Sequence, residues 1–147
     1  RIESSAASDV YKRQVLASAP GKRAIVTDIC VPQTELGKAV SETQKDISRS
    51  GISGPIFGHV GDGNFHAILL VDPEDPKEMT AAKSVATNMA NLAISLGGTC
   101  TGEHGIGIGK LDFMPAQLGH GWNVMGNIKE ALDPLNIMNP GKLIKRN

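Results

Sequence analysis

Residues 58–66 read Gly-His-Val-Gly-Asp-Gly-Asn-Phe-His, and the fold turns on how this stretch is read. It carries two of the four histidines, His59 and His66, with Gly61, Asp62, Gly63 and Asn64 between them. Asp-Gly signals a tight turn, because glycine takes positive φ without a steric cost. Apolar residues flank the turn, Pro55, Ile56 and Phe57 before it and Ala-Ile-Leu-Leu-Val at 67–71 after it. The pattern predicts strand, tight loop, strand, an arrangement able to return both imidazoles toward one point. A second polar cluster, Thr101, Gly102, Glu103, His104 and Gly105, lies further along. Together the two stretches supply three histidines and a carboxylate on glycine-rich loops. Those residue types suit a divalent metal with an acid–base group beside it.

Outward from the hairpin, residues 23–31 (Arg-Ala-Ile-Val-Thr-Asp-Ile-Cys-Val) are rich in β-branched side chains and stop at Pro32, which predicts a strand. Residues 34–50 set Leu36, Val40 and Ile47 among charged residues, with Gly51 after them, the pattern of an amphipathic helix with a glycine C-cap. Asp75 and Pro76 open a long helix that runs to about Leu96 and ends at Gly97 and Gly98. Its Met79, Ala82, Val85, Ala86, Met89, Leu92 and Ala93 follow the helical period. Residues 99–110 read as a short strand followed by a glycine-rich loop. Residues 122–132 read as a last helix, stopped by Asp133 and Pro134, and residues 134–142 as an irregular tail. The order is strand, helix, strand, strand, helix, strand or loop, helix. It predicts an α+β fold of ferredoxin-like type, an antiparallel sheet with helices on one face. There is no internal repeat and no low-complexity tract.

The chain has 147 residues, enough for one domain with a modest core. Fifteen basic and 15 acidic residues cancel, so neither a basic patch for nucleic acid nor an acidic solvating tail is present. With 40% hydrophobic but 3% aromatic residues, the core has to be built from Val, Ile, Leu, Ala and Met. No apolar run approaches the length of a membrane span. Cys30 and Cys100 form no Cys-x-x-Cys pair, which suggests neither a disulfide framework nor a zinc ribbon and makes a reducing compartment the default. Residues 1–14 show little apolar periodicity and hold the one tyrosine. They resemble translated adapter read-through and are set aside as a non-native leader, and they are not a secretory signal, since no apolar stretch follows Arg1. On that reading the natural chain begins near Val15 and is a piece of something longer, residues 15–132 forming a domain and residues 133–147 a tail.

A histidine on a strand is more often a satisfied core or surface residue than a ligand. His59, His66 and His104, however, sit beside glycines in polar loops, where packing gives little reason for imidazole, and this points to a shared metal or catalytic site. His120, between Gly119 and Gly121, has no such company and reads as surface. Glu103 beside His104 also fits a surface pair, because neighbours on a strand point to opposite faces; a glycine-rich loop relaxes that constraint. Two histidines and one carboxylate leave coordination positions open for a bidentate substrate. An α-hydroxy acid is such a substrate, offering a carboxylate oxygen and a hydroxyl in one chelate. A metal would stabilise the developing alkoxide and a neutral imidazole would take the proton. Residues 105–110, Gly-Ile-Gly-Ile-Gly-Lys, fail as phosphate loops. A Walker loop needs glycine where His104 stands and Ser or Thr where Leu111 stands, and a dinucleotide fingerprint needs glycine at Lys110. These glycines instead let the backbone approach a bound ligand or a neighbouring chain.

Residues 58–66, residues 98–110 (Gly-Thr-Cys-Thr-Gly-Glu-His-Gly-Ile-Gly-Ile-Gly-Lys) and residues 132–142 (Leu-Asp-Pro-Leu-Asn-Ile-Met-Asn-Pro-Gly-Lys) resemble the three C-terminal motifs of FAD-linked oxidases of the vanillyl-alcohol oxidase type. Thr27 to Pro32 resembles the family's strand leading into the substrate domain. The resemblance runs from about residue 20 to 147 and is nearest the D-lactate dehydrogenase (cytochrome) branch. Glycolate oxidase flavin subunits and D-2-hydroxyglutarate dehydrogenases share the skeleton. It implies a metal held by His59, His66 and Glu103, a catalytic base at His104, a substrate contact at Asn64 and a cofactor contact at Asn139. The implied cofactors are FAD, bound mainly by an N-terminal domain absent from these residues, and a divalent metal, zinc, manganese or iron.

The implied reaction takes a small 2-hydroxy acid, D-lactate, to pyruvate and passes electrons to an acceptor such as cytochrome c, with this fragment inactive alone. Ile68 stands where the hydroxyglutarate branch is expected to carry asparagine, which counts against that substrate. The tail from Asn139 to Lys142 would run back toward the flavin domain. No nucleic-acid partner and no transmembrane segment are expected, and a homodimer is left open. The implied compartment is cytoplasmic or peripheral to a respiratory membrane in a bacterium, mitochondrial in a eukaryote. The competing reading is a non-catalytic ferredoxin-like module whose histidine loops bind metal for structure alone.

Overall fold

The computed structural model describes residues 2–144. In chain order the elements are α1 (Ile2–Ala17), β1 (Arg23–Val26), β2 (Ile29–Cys30), α2 (Leu36–Ser50), β3 (Ile56–His59), β4 (Asn64–Val71), α3 (Pro76–Ser95), α4 (Met114–Leu118) and α5 (His120–Leu132). β4 is buried along its whole length, as its nearly unbroken apolar sequence requires. It pairs antiparallel with β3 on one side and with β1 and β2 on the other.

β1 and β2 share one register against β4. Val26 faces Ile68, and Ile29 faces Phe65 with no residue gained or lost between them. They are the single strand expected over residues 23–31, interrupted at Thr27 and Asp28. The interruption has a local cause. The Thr27 N–H donates to the Ala67 carbonyl at 3.0 Å, but the return bond from the Ala67 N–H goes to the Thr27 hydroxyl at 2.8 Å. A side-chain oxygen thus takes the ladder position of the Thr27 carbonyl, which turns elsewhere. On the outer edge of β2, Cys30 and Thr99 exchange both backbone bonds, at 3.1 and 2.7 Å. The strand expected after the long helix is this one bridge; beyond it the chain runs as loop into a short 3-10 turn over Ile108–Phe113. With Thr99 as the fourth position, the spatial order is that of the split βαβ, ferredoxin-like arrangement.

One sheet face carries the core. Ile29, Phe65, Ala67, Leu69 and Val71 pack against Ala39 and Ile47 of α2 and Ala82, Val85, Met89 and Ala93 of α3. The Asp75 carboxylate caps α3 by accepting the Lys77 N–H at 2.8 Å, ahead of Pro76 in the first turn. Gly51 and Gly97, both at positive φ, end α2 and α3. α1 lies on the opposite side of the sheet, its Tyr11 ring 5.0 Å from that of Phe57. It runs unbroken through the residues set aside in the sequence as a leader and on past Val15.

α4 occupies a stretch with no helix expected, and α5 begins at His120 rather than Trp122. A small second cluster of Ala90, Cys100 and Met114, with Ile94, Ile106, Phe113 and Trp122 against it, fastens this C-terminal part to α3. Cys30 and Cys100 are both free thiols. No helix among the described residues is long and apolar enough to cross a membrane.

The seam between α3 and β2 is tight enough to test. A Cβ on Gly98 would lie 2.2 Å from the Cys30 carbonyl oxygen and 2.8 Å from the Val31 Cα. Gly97, at φ +77°, has open space around it. Gly98→Ala is expected to lower unfolding free energy by about 3 kcal/mol, the upper part of the overpacking range. Gly97→Ala should cost about 1 kcal/mol, from its backbone conformation alone. Urea denaturation of the two variants checks the order.

Candidate functional site

Register decides which side chains meet. Residues directly opposite in an antiparallel pair share a face. His59 faces Asn64 and Phe57 faces His66, so both histidines stand on one face of the sheet, the one turned away from α2 and α3. Cys30 faces Asn64 from the other side, and Asp28, two residues before it, takes the same face beside His66. The loop that allows this is a 3-10 turn, Val60–Asp62, closed by Gly63 at φ +71°. A Cβ on Gly63 would lie 2.0 Å from the Val31 carbonyl oxygen, so both conformation and space require glycine there.

The Glu103 Oε1 is the centre of the cluster. It lies 3.3 Å from His66 Nε2, 3.9 Å from His104 Nε2 and 4.0 Å from His59 Nε2. The His104 ring stacks on that of His66, centroids 5.2 Å apart and planes 19° from parallel. His66 is 2% exposed, whereas Glu103 and His104 are about half exposed, so the cluster has one fixed wall and one accessible side. His66 Nδ1 is 3.0 Å from the Thr27 carbonyl freed from the ladder. A carbonyl only accepts, so Nδ1 carries a ring proton and Nε2 is the nitrogen turned toward Glu103.

This donor set fits a divalent cation. Ligand atoms about 2 Å from one ion lie roughly 3 to 4 Å from each other. One ligand atom from each of His59, His66 and Glu103 falls within 4.8 Å of the others. An imidazole whose second nitrogen is fixed by a carbonyl is the usual support for a metal-binding histidine. Asp28, His66 and His104 also come within reach of one another. The Asp28 oxygens, however, are already taken by hydrogen bonds.

Asp28 is 1% exposed, and sequence reading assigned it no role beyond its strand. Its Oδ2 accepts the Thr101 hydroxyl at 2.9 Å and the N–H groups of Gly102, Glu103 and His104 at 2.8, 3.0 and 2.9 Å. Its Oδ1 accepts the Asn64 amide at 2.8 Å. Burial alone would raise its pKa. The His104 N–H, the Asn64 amide, the Thr101 hydroxyl and the Glu103 N–H outweigh burial and hold it at about 2, against an ordinary 3.8. Lys110 closes the loop, donating to the Asp28 carbonyl at 3.0 Å and to the Cys100 carbonyl. Wrapped around a carboxylate rather than extended, residues 101–104 send Glu103 and His104 to one site, the outcome that strand alternation argued against. The signal for Asp28 was an acidic residue inside a β-branched run, in register with a histidine.

The remaining expected positions fall in three places. Asn64 is 6% exposed, with its amide also donating to the Ile29 carbonyl at 2.9 Å, and its Oδ1 has no hydrogen-bond partner among the described residues. Gly102 packs on it so closely that a Cβ would fall 1.8 Å from the amide nitrogen. Asn139 lines a cleft of about 700 Å³ together with His104, Ile106, Met125, Ile128 and Met138. The tail reaches that cleft because the Asp133 carboxylate accepts the N–H groups of Ile137 and Met138, both at 3.0 Å, and pairs with Lys129. His120 is exposed, as its sequence surroundings suggest.

The depressed pKa of Asp28 sets a pH dependence. A carboxyl whose folded pKa lies below its unfolded value stabilises the fold above the unfolded value and loses that contribution as pH falls through the folded one. Stability is therefore expected to fall by on the order of 2 kcal/mol between about pH 4 and pH 2 from this group. Acid titration followed by circular dichroism should show that component flattened in Asp28→Asn.

Residues 5–143 match the family described as FAD linked oxidases, C-terminal domain. The chain is 44% identical over 131 residues to a probable mitochondrial D-lactate dehydrogenase of Danio rerio, covering 88% of this chain and 26% of that protein. It is 42% identical over 129 residues to the mitochondrial D-lactate dehydrogenase [cytochrome] of Arabidopsis thaliana, covering 87% and 23%. It is 37% identical over 123 residues to the glycolate oxidase subunit GlcD of Bacillus subtilis, covering 83% and 26%. The chain thus spans about a quarter of the length of these curated relatives. By sequence, and with the α+β antiparallel architecture described above, the chain belongs to the C-terminal domain family of the FAD linked oxidases.

Proposed function

We propose that this chain forms the substrate-side domain of an FAD-dependent D-2-hydroxy-acid dehydrogenase, with D-lactate oxidised to pyruvate as the reaction. The observation that carries the reading is a single carboxylate oxygen, Glu103 Oε1, set 3.3–4.0 Å from three imidazole nitrogens beside a cleft walled by apolar side chains. Residues 15–132 supply the substrate-side part and residues 133–147 a tail directed toward the flavin domain. The relatives named D-lactate dehydrogenase support the substrate, and their mitochondrial names support that compartment in a eukaryote. Electrons would leave to cytochrome c or another acceptor.

His59 Nε2, His66 Nε2 and Glu103 would hold a divalent cation, and Asn139 with the cleft's apolar walls would face FAD. A cleft of this size, mostly apolar with few polar groups, is of the kind that receives a small ring system. When bound, the cation supplies charge stabilisation for the substrate oxygen and the flavin accepts the Cα hydride. The chain's own residues do the rest. His66, fully buried and fixed through Nδ1 by Thr27, gives the site a rigid wall. The accessible side, at Glu103 and His104, leaves room for a chelating carboxylate and hydroxyl. His104 stacks on His66 with half its surface open, and it takes the hydroxyl proton at its ring nitrogen. The proton taken by His104, together with the hydride that a bound flavin would accept, would balance the oxidation to the keto acid. Ile68, fully buried on the same face as His66, offers no polar group for a second substrate carboxylate.

A glycolate-oxidising relative is the second reading, favoured by the 37% identity to GlcD. It shares every residue role above and differs in the group on the substrate carbon. A purely structural metal module would need a closed ligand set. The half-exposed Glu103 and His104 speak against one.

Two variants of the full-length protein test the assignments. Glu103→Ala is expected to lose bound metal and activity together. His104→Ala is expected to keep the metal and lose roughly 10²–10⁴ in kcat, with less effect on KM. Metal content by mass spectrometry and steady-state kinetics with D-lactate read both. Near-normal kcat with lost metal in His104→Ala would reverse the two roles. This chain expressed alone should come out colourless, and a yellow preparation would contradict the division of flavin contacts proposed here.

A further inference from the structure

We infer that Asp28 is a positioning residue that sets the Glu103 ligand and the His104 base together, through one carboxylate oxygen; this rests on the metal-and-base reading above. Three successive N–H groups and a hydroxyl converge on Asp28 Oδ2 within 2.8–3.0 Å, and two of the N–H groups belong to Glu103 and His104 themselves. Four donors on one buried oxygen need an anion. The other oxygen takes the Asn64 amide, which reaches on to the Ile29 carbonyl, so the carboxylate cannot rotate without breaking a second set. Asp28 also stands beside His66, with 3.7 Å between Oδ1 and Nδ1, on the strand break that frees the Thr27 carbonyl for the same nitrogen. The residues proposed to bind metal or move the proton on the 101–104 loop are thus hung from the strand that fixes His66.

Asn at this position keeps the shape and replaces one oxygen with an amide. That amide then faces either the three N–H groups or the Asn64 amide, donor against donor, and the loop must move. In the full-length protein, Asp28→Asn is expected to keep its far-UV circular dichroism and to bind Co²⁺ about 10–100-fold more weakly than wild type. The ring proton signals of His104, set by its stacking on His66, are expected to shift in metal-free NMR spectra. Wild-type Co²⁺ affinity in Asp28→Asn overturns the inference. No Co²⁺ binding by the wild type instead overturns the metal reading. The His104 ring signals then decide for positioning, unchanged signals overturning it and shifted ones upholding it. If Asp28→Asn does not fold, Thr101→Val removes one donor and leaves the carboxylate. It should weaken Co²⁺ binding in the same direction and shift the same signals, and no change in either overturns the inference.

Discussion

A buried carboxylate with donors on both oxygens holds this structure's two halves in relation. Burying an anion is costly, and Asp28 is 1% exposed. The cost is offset because the 101–104 segment has backbone N–H groups with no helix or strand to satisfy them. Each needs the other. The loop supplies the donors that keep Asp28 ionised, and Asp28 supplies the acceptor that the loop's backbone lacks. Losing the carboxylate would take the acceptor from three successive N–H groups and a hydroxyl at once, and losing the loop would leave a buried anion without those donors.

The sheet makes that exchange possible by dividing labour between its faces. One face is filled by Phe65, Ala67, Leu69 and Val71 against α2 and α3, which fixes β4 in place. The other face then presents His66 as a rigid wall, since its backbone is immobilised by the core behind it. Groups proposed to meet substrate, Glu103 and His104, come from a loop and stay half exposed. A site needs both properties: a wall held within a fraction of an ångström and an opening for the ligand.

The parts legible in sequence are those governed by neighbours. The hairpin announced itself by Asp62-Gly63 between apolar runs, α3 by its period and caps, and α2 by its amphipathic face. The meeting of His59 with His66 followed from the hairpin register alone. Long-range chemistry was not legible. Nothing near Thr27 says that its hydroxyl replaces its own carbonyl in the ladder, because that depends on Ala67, forty positions away. Asp28 looked like one residue of a strand because the four donors to its Oδ2 lie more than seventy positions on. α4 was missed because its start signal, Pro115 in the first turn, comes without an apolar period long enough to read, and Gly119 cuts it off after five residues.

The tail repeats the same solution. Residues 134–142 form neither helix nor strand, and the Asp133 carboxylate accepts the N–H groups of Ile137 and Met138 while pairing with Lys129, which holds its pKa below the ordinary carboxylate range. Lys129 in turn donates to the Met138 carbonyl at 2.7 Å, so both ends of one peptide run are tied to the end of α5. An aspartate is suited to this because its short side chain brings two acceptors within reach of successive amides, as at helix N-caps and Asx turns. The segment ordered by Asp28 and the segment ordered by Asp133 converge on the same cleft, one contributing His104 and the other Asn139. Regular structure builds the scaffold here, and two aspartates shape the irregular backbone that carries the chemistry.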